Sequence, residues 1–240
     1  MNGFDYMGVR IPPEVQEIFV RLQTRYEIEF EPIVIRDRRF RFMTLKNIEP
    51  LIAGKDLFAE SLEFPFWVKI WESSTVLADF LARMEPVSER RILEIGAGLG
   101  VCGIVAAAFG HRAVITDYEE EILDFARVSA AVNGCGGILC QKLDWLHPAD
   151  IGKFEMIVGS EVLFHPSFFE PILHVFRTCL APGGTIYLAH DVRRKSLAGF
   201  LPLCEREYDI AVQRRKLSSG DETYDILLTR LVPKDGPRAS

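Results

Sequence analysis

The chain has 240 residues, 48% of them hydrophobic, and a net charge of −6. That is enough for one substantial domain with a buried core, and the acidic balance argues against a nucleic-acid partner. No apolar run approaches the ~20 residues that cross a bilayer, and Met1 to Arg10 lacks a secretion signal pattern, so the expectation is a cytoplasmic monomer with no membrane partner.

Pro12 to Tyr26 reads as an amphipathic helix, with Val15, Ile18, Phe19 and Leu22 on one face. Glu27 to Ile35 and Phe40 to Leu45 are strand-like, with Asp37-Arg38-Arg39 as the turn of a hairpin, and Asn47 to Ala53 is a short helix. Residues 1–60 carry no chemical motif and read as an N-terminal cap with a role in choosing substrate. Phe64 to Ser74 is dense in aromatics, among them Trp67 and Trp71, and leads into a helix whose buried face is Val76, Leu77, Phe80, Leu81 and Met84. Ser73 or Ser74 is the expected cap. The aromatics are either core or the walls of a ligand pocket.

Arg91 to Val101 organises the rest. Ile92, Leu93 and Ile95 form a short strand that breaks into Gly96-Ala97-Gly98-Leu99-Gly100 and restarts as an apolar helix. Such a turn presents backbone N–H groups at a helix N-terminus, and glycines let a ligand approach them. A dinucleotide fingerprint needs a third glycine where Val101 stands. Glu94, two residues ahead of the turn, is a poor neighbour for a pyrophosphate. It suits a ligand with a positive end, and S-adenosylmethionine, with its α-ammonium and sulfonium, is one.

Ala113 to Asp117 is a second strand ending in an acid, 21 residues past Gly96. An acid there accepts hydrogen bonds from ribose hydroxyls, or caps the helix Glu119 to Asn133; Tyr118 stands beside it. After the loop Gly134 to Gly137 and the strand Ile138 to Lys142 comes Leu143-Asp144-Trp145. There the acid can accept from an adenine amine while the indole packs on the ring. Phe154 to Ser160 is a fourth strand, whose end faces the switch point where ligands sit. The helix Ser167 to Leu180, the turn Ala181 to Gly184 and the strand Thr185 to Ala189 follow. Arg193 to Cys204 is a helix, and strands Tyr208 to Arg214 and Thr223 to Leu231 close the chain around the turn Ser218 to Asp221. The residues from Pro233 on are expected to fray. The basic clusters Arg36 to Arg39, Arg193 to Lys195 and Arg214 to Lys216 read as solvated faces. The five cysteines form no C-x-x-C pair and read as reduced core thiols, with no metal site.

The pattern Glu94 to Gly100 is similar to motif I of the class I S-adenosylmethionine-dependent methyltransferases. Leu180 to Gly184 matches the turn before their fifth strand, and a closing hairpin is what their sheet has. With Trp67, Trp71, Ser73-Ser74, Asp117, Leu143-Asp144-Trp145 and Glu161-Val162-Leu163-Phe164, residues 60 to 190 resemble methyltransferase family 16, a protein lysine methyltransferase group. The resemblance implies an α/β, Rossmann-like fold: a mostly parallel seven-stranded sheet, helices on both faces and a C-terminal β-hairpin. It makes residues 61–240 the cofactor-binding domain. It implies S-adenosylmethionine held by Trp71, Glu94, Gly96, Ala97, Gly98, Asp117, Tyr118, Asp144, Trp145 and Ser160. It implies a lysine acceptor oriented by Glu161 beside Phe164, with His165 as the alternative base. Phe164 lacks the phenol hydroxyl found in some members. A small-molecule acceptor on the same fold, a non-catalytic binding module and a dinucleotide oxidoreductase are the competing readings.

Overall fold

The computed structural model describes residues 3–47, 67, 69–219 and 222–234. All but the first residue of the expected helix at Asn47 to Ala53 therefore lies outside the described residues, as do Phe64 to Phe66.

Two short strands, β1 (Phe4–Tyr6) and β2 (Val9–Ile11), pair antiparallel ahead of a 3-10 turn and helix α1 (Gln16–Gln23). Strands β3 (Ile28–Ile35) and β4 (Arg38–Leu45) form the expected hairpin, with a tighter turn than predicted. Arg36 takes φ +59° there, so Arg36 and Asp37 alone make the connection and Arg38 and Arg39 join the strand. The N-terminal elements do not stand apart. Ile11, Phe19, Leu22 and Met43 share a buried cluster with Phe125 and Val128 of helix α4 (Glu120–Val132), and the Met43 N–H donates to Ser129 Oγ at 2.9 Å.

The central sheet has seven strands in the order β10-β11-β9-β8-β5-β6-β7. Strands β5 (Arg91–Glu94), β6 (Arg112–Asp117), β7 (Leu139–Lys142), β8 (Phe154–Ser160) and β9 (Leu180–Asp191) run parallel. Strand β11 (Glu222–Pro233) is antiparallel to β9, and β10 (Tyr208–Ser219) to β11. The central strands β5, β6 and β8 are buried on both faces, as Ile92, Leu93, Ile115, Ile157 and Val158 show, which is why they read as continuous apolar runs. Helices α2 (Glu72–Ala82), α3 (Val101–Ala108), α4, α5 (Phe169–Cys179) and α6 (Ser196–Cys204) connect and flank the strands. Among the described residues no helix is long and apolar enough to cross a membrane. All five cysteines are free thiols.

Three local readings are corrected. Trp71, not Ser73 or Ser74, occupies the N-cap of α2; the serines lie inside its first turn, where the Ser74 hydroxyl donates to the Trp71 carbonyl at 2.6 Å. The Ala181 to Gly184 turn is absorbed into β9 as an irregularity, the register jumping from Phe154 opposite Leu180 to Met156 opposite Thr185. In the cluster Arg193 to Lys195, Arg193 and Lys195 are exposed as expected, but the Arg194 side chain is 0% exposed, and α6 starts after it.

Candidate active site

Strand β5 lies between β6, which follows it in the chain, and β8, to which the chain crosses back from β7. A crevice opens where the strand order reverses, at the carboxyl ends of these strands. It holds a cavity of about 750 Å³, within the ~300–1,000 Å³ of small-molecule sites.

The glycine turn forms the floor. Gly96, Gly98 and Gly100 take φ of 54°, 53° and 77°, the left-handed region that side chains resist. A Cβ on Gly96 would stand 2.9 Å from the Trp145 ring, whereas one on Gly98 meets nothing nearer than Trp67 Cα at 3.5 Å. The loop is held from below: the Ala97 N–H donates to the Thr116 carbonyl at 3.0 Å and the Thr116 hydroxyl to the Glu94 carbonyl at 2.7 Å.

Glu94 reaches the cavity, but its carboxylate is already engaged. Its oxygens accept from the N–H groups of Cys102 and Gly103 at 3.2 and 2.7 Å, at the N-terminus of α3, where the helix dipole favours an anion. Burial pushes its carboxyl up to about 7 against these bonds. Through these bonds it locks the glycine turn onto α3 while remaining on the cavity wall. Asp117 ends β6 as expected. Its carboxylate accepts from Gly98 N–H at 2.8 Å and from Tyr118 N–H at 2.7 Å. Desolvation pushes it up to about 6. The capping alternative fails, since Glu119 holds the N-cap of α4.

On the far side of the floor, Asp144 accepts from Leu146 N–H at 2.9 Å, with His147 Nδ1 3.3 Å from its other oxygen. Trp145 packs edge-on to Phe168, 5.6 Å between centroids, and Phe168 packs on Phe164 at 5.1 Å. Ser160, at the end of β8, shares a 2.8 Å hydrogen bond with Ser73 of α2. The structure thus brings Trp71, Glu94, Gly96, Ala97, Gly98, Asp117, Tyr118, Asp144, Trp145, Ser160, Glu161 and Phe164 to one cavity wall.

Two of the expected catalytic residues do something else. Glu161 is buried, at φ +55°, and its oxygens are taken: Oε1 accepts from Asp191 N–H at 2.7 Å and Oε2 from Arg194 Nε at 3.0 Å. Burial raises its carboxyl, and Arg194 opposes the rise. The carboxylate fixes the turn after β8 from beneath while staying on the cavity wall. His165 is not on the cavity wall. Its Nδ1 caps the 3-10 turn that follows, accepting from Ser167 N–H at 3.2 Å. Sequence reasoning missed Arg194, Lys69 and Phe168. Phe168 had a signal, four residues beyond Phe164 and one turn onward.

The cavity fits S-adenosylmethionine by the chemistry of its lining: a left-handed glycine turn at a helix N-terminus that a ligand can approach closely, a carboxylate at the ribose position, and an acid beside an indole for adenine. This sheet and this site define a class I methyltransferase. A solved putative RNA methyltransferase from Pyrococcus horikoshii shares the fold with a TM-score of 0.55 at 12% identity, over 72% of this chain and 89% of that one. Residues 59–207 match the family described as lysine methyltransferase, and the chain belongs to that family, whose methyl donor is S-adenosylmethionine. Among curated relatives it is 28% identical to histone-arginine methyltransferase METTL23 of Xenopus laevis, over 61% of this chain and 66% of that protein. It is 28% identical to protein-lysine N-methyltransferase rrg1 of Schizosaccharomyces pombe, over 66% of this chain and 58% of that protein. The chain thus spans about three fifths to two thirds of the length of these relatives.

Proposed function

We propose that this chain transfers a methyl group from S-adenosylmethionine to a lysine side chain of a protein, in the cytoplasm. The observation that carries the reading is the cavity's second half. Beyond the glycine turn and Asp117, its wall changes to Trp71, Phe164 and Phe168, beside the end of β8. Aromatic faces attract a cationic amine and exclude water. The transfer is a displacement at the methyl carbon, so the enzyme's task is to align the nucleophile and keep the site dry.

In this reading Asp117 receives the ribose hydroxyls, and Tyr118 closes over that end. Asp144 and Trp145 hold the adenine. The Gly96 N–H and the Ser160 hydroxyl meet the amino-acid end. S-adenosylmethionine supplies the electrophilic methyl. Glu161 is a positioning residue: with Arg194 it fixes the backbone on which Phe164 stands. The proton leaving the amine passes to solvent, with no part for His165. The name of rrg1 favours lysine as acceptor, and that of METTL23 makes arginine the alternative basic side chain.

The test is incubation with methyl-labelled S-adenosylmethionine and a protein lysate, followed by acid hydrolysis and amino-acid analysis. Labelled methyl-lysine is the expected product. Label confined to small molecules would overturn the protein acceptor, and label in methyl-arginine would overturn lysine.

A further inference from the structure

One lysine of this chain already sits on the cavity wall. Lys69 lies just ahead of α2 and is part of the cavity lining, with its side chain only 25% exposed. Its Nζ stands 4.6 Å from the centre of the Trp71 ring, over its face, and 3.9 Å from a carboxylate oxygen of Glu72. This is the arrangement that holds an ammonium group: an aromatic face on one side and an anion on the other. A third group belongs to it. Glu31, on β3 of the N-terminal hairpin, feels Lys69, Glu29 and Glu72 through space, the acids raising its carboxyl beyond the effect of desolvation and Lys69 lowering it. A second cation near Glu72, Arg193, is bonded to Asp191 at 2.8 and 2.7 Å.

The same stretch borders the reacting end of the cavity. Two residues past Trp71, Ser73 is hydrogen-bonded to Ser160 at the end of β8, next to Glu161. A lysine ammonium held on Trp71 thus stands at the entrance an acceptor lysine must use.

We infer that Lys69 occupies the acceptor subsite of its own enzyme, its ammonium on Trp71 and Glu72 in the place of an incoming lysine, and that it is itself a methyl acceptor. The inference rests on the proposed function. In the step, the Lys69 ammonium gives one proton to water. The freed nitrogen lone pair then bonds to the methyl carbon of S-adenosylmethionine as the carbon–sulfur bond breaks. The bonding pair stays on sulfur, giving S-adenosylhomocysteine and a protonated methyl-lysine. The nitrogen remains cationic, so the methylated side chain keeps its place on the Trp71 face. An external acceptor has to displace Lys69, which makes the N-terminal hairpin, through Glu31, a wall of the acceptor entrance.

The test uses the full chain, freed of bound cofactor and incubated alone with methyl-labelled S-adenosylmethionine, then digested and mapped by mass spectrometry. The expected result is a gain of one or more methyl groups on Lys69, complete loss of that label in K69R, and a rate constant unchanged on tenfold dilution. In K69M, labelling of lysate proteins at limiting acceptor should rise severalfold, because the internal competitor is gone. A preparation that binds S-adenosylhomocysteine and labels lysate proteins, but not Lys69, refutes the inference and leaves the proposed function standing. A preparation that binds S-adenosylhomocysteine and labels nothing, or binds none, refutes both.

Discussion

Arg194 is the residue whose loss the structure predicts most sharply. Its side chain is 0% exposed and that of Glu161 3%, and they meet at 3.0 Å. Replacing Arg194 with Met keeps an apolar stem but leaves the Glu161 carboxylate uncompensated in a dry site, with the Asp191 N–H, at 2.7 Å, and the Ser73 hydroxyl as neutral partners. Removing one partner of a buried pair costs about 3–5 kcal/mol. For a chain of this size that is a fall in Tm of roughly 6–20 °C, at about 2–4 °C per kcal/mol. E161L strands the guanidinium instead and should cost a similar amount. The double variant R194M/E161L removes both charges and should be more stable than either single one, because an apolar pair of similar volume tolerates burial. The pH dependence has a definite sign. Burial already raises the Glu161 carboxyl and Arg194 opposes that rise, so without Arg194 it rises further. A carboxyl raised in the folded state loses stability as pH climbs through the unfolded and then the folded pKa. The R194M deficit should therefore be smaller near about pH 5 than near about pH 8. Urea unfolding of the four proteins gives the coupling energy directly. Single variants that each cost under ~1 kcal/mol and simply add would refute the buried-pair account.

Cofactor affinity should strengthen as pH rises through about 6, where Asp117 ionises, since the carboxylate accepts from ribose hydroxyls at both oxygens and more strongly than the neutral carboxyl. D117N should flatten that profile by roughly tenfold per pH unit on its acid side, read by calorimetry with S-adenosylhomocysteine. G103A should lower stability by about 1–3 kcal/mol in thermal denaturation, because the new Cβ would stand 2.6 Å from Ile115 and 2.7 Å from the Glu94 carboxylate. H165A should leave the rate of methyl transfer within about twofold and cost about 1 kcal/mol of stability through the lost cap; a fall beyond tenfold would restore His165 as a base.

The parallel strands and the glycine turn were legible because each is local chemistry. Ile92, Leu93 and Ile95 are apolar, Gly96, Gly98 and Gly100 supply the positive φ angles, and Asp117 ends its strand. What sequence spacing does not reveal is which polar groups meet across the fold. Glu161 and Arg194 are 33 residues apart, and the pair forms only because β9 carries Asp191 and Arg194 back beneath the end of β8. Read alone, Arg193-Arg194-Lys195 is a surface cluster, and Glu161 an open carboxylate. The same holds for Glu94, whose partners lie in the next helix. Lys69 gave no signal because its meaning depends on Trp71 facing a cavity rather than the core. In β10, by contrast, Arg214, Arg215 and Lys216 are exposed as read, with Arg214 paired to Asp225 across the hairpin at 2.8 Å.

The most direct measurement is calorimetric titration of the chain with S-adenosylhomocysteine, with NAD as the control ligand and D117A alongside. The account predicts micromolar or tighter binding of S-adenosylhomocysteine, none of NAD, and marked weakening in D117A. Binding of NAD, or S-adenosylhomocysteine binding indifferent to Asp117, would contradict it.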